Sequence, residues 1–571
     1  MKRCPQCGRE YDATMMFCLD DGAELLYGPA NSAGSFDEPQ TAILPSTDIP
    51  SEARTQAQIH TTEKTAILPT GAIESPTAKG FDKGLIFVPL AVALIILGGF
   101  FGYRYFTTST SGQINSIAVM LFQNTSGDQS MDYLSDGVAE SLTNSLSRLG
   151  QLKVTAASTM FRFKGRESDP LAVGKELGVA AVLTGKILQQ GNRLMINVEL
   201  VNVADGTQLW GEQYNRPATD ILSVQTEIAN AVSQKLRLNL SADEKTRLAK
   251  RDTDSPEAYQ LYLKGVYHAA KFNKAELDIG YDYLNQAIAV DPNYALAYHG
   301  LAYYYYLVVD WTMSPDDAMP KAKKAAQKAI EVDDTLAAAH TDLASVYWYY
   351  DWDWPAAEKE FGRAIELDPA DALTREQHGW YLVTMGRIDE GIAEAKKSQQ
   401  LDPLNQEHTS VLGWDLYLAH RYDESIEQQR KAIELDPTYW PGYSWLGHAL
   451  AQQGKYPEAI ASFQKSVSIE PVIAEPLIGL ARAYAVSGKK DEALKIIAEL
   501  NDRSKHPYVS NYLMADLYAG MGDKDKAFAL LEKAYTDRSW YLTHLKLDPE
   551  LDPLHGDPRF ADLVRRVGLP E

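Results

Sequence analysis

Cysteine is almost absent from this 571-residue chain: Cys4, Cys7 and Cys18 are the only three, so nothing beyond position 18 can form a disulfide. The long remainder must be held by apolar cores rather than by cross-links. Positive charge is also short, with 55 lysines and arginines against 77 aspartates and glutamates and a formal net charge of −22. So acidic a chain lacks the cationic footprint that nonspecific DNA or RNA binding requires, and no nucleic-acid partner is expected. The excess reads as solvated acidic helix faces, with an acidic groove for basic partner segments as the alternative.

Catalytic signatures are missing too. No H-E-x-x-H or G-x-S-x-G occurs, and Gly178 to Lys186 has the wrong spacing for a phosphate loop, with Ile187 where Ser or Thr is needed. The eleven histidines are scattered singly, as at His299, His340 and His448. The residues before Leu85 hold neither a kinase glycine loop nor an H-R-D motif and are too few for such a domain. The expectation is a non-enzymatic protein without catalytic residues.

Long apolar runs are confined to one place. Leu85 to Tyr103 is 19 residues without a charge, flanked by Lys79 and Lys83 before and Arg104 after. That length spans a bilayer core, so a single transmembrane helix is expected over 84–104, in contact with lipid through 85–103; a buried soluble helix is the alternative. It starts too far from Met1 to be a cleaved signal peptide. Lys64, Lys79 and Lys83 outnumber Arg104, which predicts a single-pass inner-membrane protein with a cytoplasmic N terminus and periplasmic or otherwise extracytoplasmic C-terminal domains.

That orientation leaves the cysteines in a reducing compartment. Cys4 and Cys7 form a C-x-x-C knuckle closed by Gly8, a spacing that offers two thiolates to one tetrahedral ion, and Cys18 follows ten residues later. A second knuckle would put the fourth ligand at position 21, which holds Asp21, so the candidate structural zinc set is Cys4, Cys7, Cys18 and Asp21. A metal-free remnant and redox-active thiols remain the alternatives. The segment CPQCGREYDATMMFCLDDGAEL resembles bacterial zinc-ribbon heads, which sets a head over 1–27.

Residues 28–83 are rich in Pro, Ser, Thr and Ala and read as a disordered tether. Within it QTAILPS, Gln40 to Ser46, recurs as KTAILPT, Lys64 to Thr70. Threonine followed three residues later by leucine resembles the phosphothreonine motif of forkhead-associated domains, making Thr41 and Thr65 candidate docking points; a plain apolar duplication is the alternative.

Beyond the apolar run, SIAVMLF and LKVTA read as strands around a helical stretch from Met131 to Leu149. A short helix, three longer strands and a closing helix, Ile221 to Leu238, follow. This is a small α/β domain with a mixed sheet, over 114–242. The phrases SIAVMLFQNTSGDQSMDYLSDGVAESLTNSL, FKGRESDPLAVGKELGVAAVLTGKI and VADGTQLWGEQYNR resemble the domain related to the TolB amino-terminal region. The resemblance implies the architecture of bacterial signalling-type proteins, in which that domain often precedes helical repeats, and sets no ligand.

The strongest pattern lies downstream. Pro369, Pro403, Pro437 and Pro471 stand 34 residues apart, each closing a related line: AIELDP, SQQLDP, AIELDP, SVSIEP. Small residues such as Gly447, Ala459 and Ser466 alternate with Tyr443, Leu446, Leu450 and Phe463 around the turn Gln453 to Lys455, which describes two closely packed amphipathic helices. One hairpin cannot bury its faces alone, so the units must stack. The pattern resembles the tetratricopeptide repeat and predicts an α-solenoid of about eight hairpins over 255–538. The unit from Ala295 to Asp334 departs from it, with a longer loop read from Asp310 to Pro320. The aromatic runs Tyr303 to Leu307 and Val346 to Trp354 are read as seam packing or as a peptide-binding patch. Residues 539–571, extended at first and helical from Arg559 to Val567, are read as a terminal cap.

The expected fold class is therefore multidomain: a zinc-ribbon-like head, one membrane span, a small α/β domain and a tetratricopeptide-type solenoid. Such a chain is expected to be a membrane-anchored adaptor whose superhelix binds proteins or peptides. The alternatives are a transmembrane sensory protein relaying external binding to the head, and an envelope assembly factor.

Overall fold

The computed structural model describes residues 2–3, 10–11 and 114–570, except 165–168, 272 and 503–505. It divides into two units, Met1–Gly112 and Gln113–Glu571. In the first, β1 (Lys2–Arg3) pairs antiparallel with β2 (Glu10–Tyr11). The expectations for Cys4, Cys7, Cys18, Asp21, Thr41, Thr65, the tether and the span over 84–104 lie outside the described residues. Among the described residues no helix is long and apolar enough to cross a membrane.

The second unit opens with a mixed sheet. β3 (Ser116–Val119) lies parallel to both β5 (Lys153–Val154) and β6 (Ala181–Gln190), and β4 (Gln123–Asn124) runs parallel to the far part of β6. β6, β7 (Arg193–Asn202) and β8 (Gln208–Pro217) continue as an antiparallel meander. The β6–β7 register closes on a two-residue turn whose Gly191 has φ +59°, a conformation glycine adopts without strain. Alternation along β3 sends Ile117 and Val119 to one face and Ala118 to the other. The first face is covered by α1 (Asp132–Ser147) and α4 (Ile221–Lys235) through Leu134, Val138, Leu142, Ile228 and Val232. The second is covered by α2 (Ala157–Phe161) and α3 (Pro170–Leu177) through Met160 and Val173. α5 (Ala242–Ala249) leads to the repeats.

Eight helical hairpins follow. They are α6 (Pro256–Ala269) with α7 (Lys274–Val290), α8 (Ala295–Val308) with α9 (Pro315–Val332), α10 (Ala337–Val346) with α11 (Trp354–Leu367), and α12 (Ala372–Thr384) with α13 (Ile388–Leu401). The other four are α14 (Gln406–Leu418) with α15 (Tyr422–Leu435), α16 (Trp440–Gln452) with α17 (Tyr456–Ile469), α18 (Glu475–Val486) with α19 (Lys490–Leu500), and α20 (Asn511–Met521) with α21 (Lys524–Thr536). In the last five, the residue that turns one helix into the other is left-handed: Gly386, His420, Gly454, Gly488 and Gly522, again 34 apart. Helix backbones touch within a hairpin: a Cβ added to Gly391 would lie 2.5 Å from the Gly379 carbonyl.

Two local expectations change. The loop read from Asp310 to Pro320 ends at Ser314, whose hydroxyl accepts from the Asp317 amide and starts α9 with Pro315 in its first turn. Pro320 then sits inside α9. The stretch after Arg538, read as extended, forms two short 3₁₀ helices, Trp540–His544 and Pro549–Leu554, before α22 (Pro558–Val567).

The α/β domain and the repeats share one core. Tyr259 and Leu263 of α6 and Tyr294 and Ala297 at the start of α8 belong to the same buried cluster as Ile117, Leu134 and Ile196. A Cβ on Gly137 of α1 would lie 2.6 Å from Leu263, so the two helices approach as closely as glycine allows. The array then comes back to the domain: Thr159 of α2 donates to the buried carboxylate of Asp402 at 2.6 Å, Ser158 donates to the same group, and Leu404 packs on the core beneath α2 and α3.

Candidate functional site

The first helix of each hairpin lies beside the first helix of the next, and together they make an inner face. One position per repeat dominates it. Trp380, Trp414, His448, Arg482 and Asp516 stand 34 residues apart, and all five side chains are buried or nearly so. What buries them is the chain's own C-terminal segment. His544 stacks on Trp380 with ring centres 5.5 Å apart and planes within 8°, and its edge meets Trp414 and Trp540. Glu550 receives His448 Nδ1 at 2.9 Å and Arg482 Nη1 at 3.1 Å. Asp548 accepts from the Tyr512 hydroxyl at 3.0 Å.

A second grip comes from the loop after α8. Asp310, left-handed at φ +58°, accepts from the Ser539 hydroxyl, the Trp540 amide and the Tyr508 hydroxyl at 2.8–2.9 Å. Trp311 packs edge-on against Trp440 and donates to the Tyr541 hydroxyl at 3.3 Å. Rings align along the same face: Tyr303 stacks on Tyr306, Tyr306 on Tyr349, Tyr349 on Trp540, Trp540 on Tyr541 and Tyr541 on Tyr512. In the run Tyr303 to Tyr306, helical spacing therefore divides the labour: residues three apart share the inner face, while Tyr304 and Tyr305 turn to Tyr281 of α7, where this hairpin packs on the one before it.

Burial sets the electrostatics. Desolvation opposes a charge on His448, but Glu550 and Glu475 hold its imidazolium and push its pKa up to about 10. His544, buried with both ring nitrogens unpartnered, is pushed down to about 3 by desolvation and stays neutral. Asp310 is pushed up to about 6 by desolvation, which outweighs its hydrogen bonds from Ser539 and Tyr508. At the other end of the face, Glu376 pairs with His408 Nδ1 at 2.6 Å, and burial against that pair is overcome so that His408 is held at about 9. None of these groups makes a nucleophile–base pair or a group of metal ligands; among the described residues no such metal cluster occurs. The chemistry on offer is recognition of polypeptide by stacked rings and buried ion pairs.

Comparison with known proteins agrees with that architecture. Residues 429–461, 450–517 and 508–536 each match a tetratricopeptide-repeat family. Residues 429–536 thus carry tetratricopeptide repeats. Residues 113–231 match the family described as HilA/YgeH-like transcriptional regulator, second domain, a different description from the TolB-related one suggested by the quoted phrases. A Rhizobium meliloti (strain 1021) protein named "Putative adenylate cyclase 3" is 33% identical over 231 residues, 40% of this chain and 39% of that protein. The chain thus spans about two fifths of that relative's length. Among solved structures, PilF of Pseudomonas aeruginosa covers 37% of this chain and 92% of its own at 21% identity and TM-score 0.29. PilW, a type IV pilus biogenesis factor, covers 38% and 94% at 19% identity and TM-score 0.31. The repeats' consensus positions are visible in the sequence; the inner-face set at 380, 414, 448, 482 and 516 keeps the same 34-residue period but carries no common residue type that would mark it.

Proposed function

We propose that this chain is a non-catalytic adaptor that binds protein or peptide partners through its tetratricopeptide repeats. One observation carries the reading: the inner face holds a polypeptide segment of its own, residues 539–554, by side chains repeated once per hairpin. A surface built to grip irregular chain by aromatic stacking and buried carboxylate pairs is a polypeptide-binding surface. The apolar run 85–103 would anchor the adaptor in the inner membrane with the repeats outside the cytoplasm, and Cys4, Cys7, Cys18 and Asp21 would hold one structural zinc ion in the head. The antiparallel pairing of Lys2–Arg3 with Glu10–Tyr11 supports the head, because it brings together the chain on either side of the C-x-x-C pair.

A regulatory reading is favoured by the similarity to a protein named as an adenylate cyclase. On that reading, partner binding outside the membrane would alter the contacts of the head inside. Photo-cross-linkers placed on the first helices in intact membranes test the adaptor, with trapped proteins identified by mass spectrometry. Capture of defined partners is expected, and exclusively self-cross-links would sink it. Reporter fusions after Leu26 and after Glu571 test the topology; a cytoplasmic C terminus overturns the proposed compartment.

A further inference from the structure

The segment 539–554 fills the inner face without satisfying it. Its Glu550 meets Arg482 twice, by the carboxylate at 3.1 Å and by the main-chain carbonyl at 3.3 Å, and meets His448 at 2.9 Å. Around those pairs, Nε1 of Trp380 and of Trp414, both ring nitrogens of His544, Arg482 Nε and one oxygen of Asp516 are buried without a hydrogen-bond partner among the described residues. All of them lie where segment and face meet: the His544 ring contacts both indoles, and Asp516 feels the charges of Asp548 and Glu550. Such atoms recover hydrogen bonds when the face opens or when a better-matched chain takes the place of this one.

The connections of the segment let it leave as a unit. It consists of two 3₁₀ helices, whose hydrogen bonds are poorer than those of an α-helix. It starts after Arg538, left-handed at φ +57°, and beyond it α22 lies back against α21: Arg559 sits over the Phe528 ring at 4.1 Å and Arg566 over the Tyr535 ring at 4.5 Å. The two ends of the segment are thus held side by side, and it can swing off the inner face while α22 still covers the last hairpin. What replaces it is set by the face. Arg482 and His448 are 8% and 5% exposed, and a buried cation needs an anion beside it. The chain carries a net charge of −22, yet this surface asks its occupant for a carboxylate.

We propose that residues 539–554 are a displaceable occupant of the inner face, and that the polypeptide partner replacing them brings the same two anchors: an aromatic ring for Trp380 and Trp414, and a carboxylate for Arg482 and His448. The inference rests on the adaptor reading. It adds that the binding face is blocked by the chain itself until a partner competes the segment off, and that the partner's anchor is acidic.

The probe is a fluorescein-labelled peptide with the sequence from Ser539 to Leu554, titrated by anisotropy into the full-length protein and into its double variant Trp540→Ala, Glu550→Gln, which loosens the segment and leaves the face unchanged. Self-occupation lowers the apparent affinity by the fraction of molecules whose face is open, so the variant is expected to bind at least about tenfold more tightly than the wild type. The same peptide carrying Glu550→Gln is expected to bind the variant at least about tenfold more weakly. Equal binding by the wild type and the folded variant, no binding by the folded variant, or equal binding of the two peptides would overturn the proposal. Should the variant not fold, hydrogen exchange of the wild type decides. Excess peptide is expected to speed exchange at the amides from Tyr541 to Leu551 by at least about tenfold with α12 and α14 unchanged, and no change there overturns the proposal. Cross-linked partners captured equally by wild type and variant would remove this inference and leave the adaptor; peptide binding by the variant without any cross-linked partner would do the reverse.

Discussion

His544 of the C-terminal segment and His448, which meets that segment from the repeats, titrate in opposite directions, and together they predict a stability optimum. His544 is neutral among Trp380, Trp414 and Trp540, with a folded pKa near 3 against about 6.5 unfolded. Its contribution is fully present above pH 6.5 and is lost as pH falls toward 3, about 2 kcal/mol between pH 7 and pH 5. His448 is charged between Glu550 and Glu475, with a folded pKa near 10, so its contribution is full below pH 6.5 and is lost as pH rises through 10. Denaturant midpoints measured from pH 4 to pH 10 should therefore peak near neutrality. His544→Phe, which keeps a ring on Trp380, should flatten the acid side, and an unchanged acid slope would show that His544 is not the group responsible. Glu550→Ala strips the partner from Arg482 and His448, which are 8% and 5% exposed. Leaving the buried Arg482 guanidinium without its ion-pair partner, and His448 with Glu475 alone, should cost about 3–5 kcal/mol in equilibrium unfolding, well beyond a surface ion pair.

At the level of the helical hairpin, the left-handed turn residue and the helix-to-helix contact are the two points that sequence can probe. Four of five aligned turns use glycine, and the fifth uses His420 at φ +58°. His420→Gly relieves that strain and gives up an exposed hydrogen bond and a ring contact to Tyr422, so chemical denaturation should show no loss and a gain of up to about 1 kcal/mol. Gly391→Ala does the opposite. Its Cβ would meet the Gly379 carbonyl at 2.5 Å and Val383 at 2.6 Å, forcing α12 and α13 apart at a cost of about 1–3 kcal/mol by the same assay. These elements were legible in the sequence because period and composition are local properties: Pro369 to Pro471 announced the solenoid, and alternating runs such as RLMINVELVN announced the sheet. The inner-face set was harder to see, since Trp380, Trp414, His448, Arg482 and Asp516 share a phase but no chemistry. The docking of 539–554 was not legible at all, because Asp310 with Trp540 and His448 with Glu550 join residues 230 and 102 apart, and no local pattern records such pairs.

Across the whole of Gln113–Glu571, the consequence of those long-range pairs is closure. An open repeat array touches only its neighbours, so its stability is a sum of local terms and its ends fray first. Here three contacts tie distant parts together: Leu263 and Tyr259 within the core of the α/β domain, Asp402 beneath Ser158 and Thr159, and Asp310 around Trp540. Fraying from either end must break one of them, so the first and last hairpins should not open independently of the middle. The protein comprising 113–571 is thus expected to melt in a single calorimetric transition whose van't Hoff and calorimetric enthalpies agree, although repeat arrays of this length commonly lose that agreement. Leu263→Ala, which empties a site shared by α1 and α6, should lower the transition by about 2–5 kcal/mol. Hydrogen exchange should report the same loss in β6 and β7 as in α12 and α13, although Leu263 touches neither of those helices' hairpin seams. Two separate transitions, or lost protection confined to the sheet and the first hairpin, would show that the α/β domain and the repeats fold as independent bodies and that the three clasps do not close the molecule.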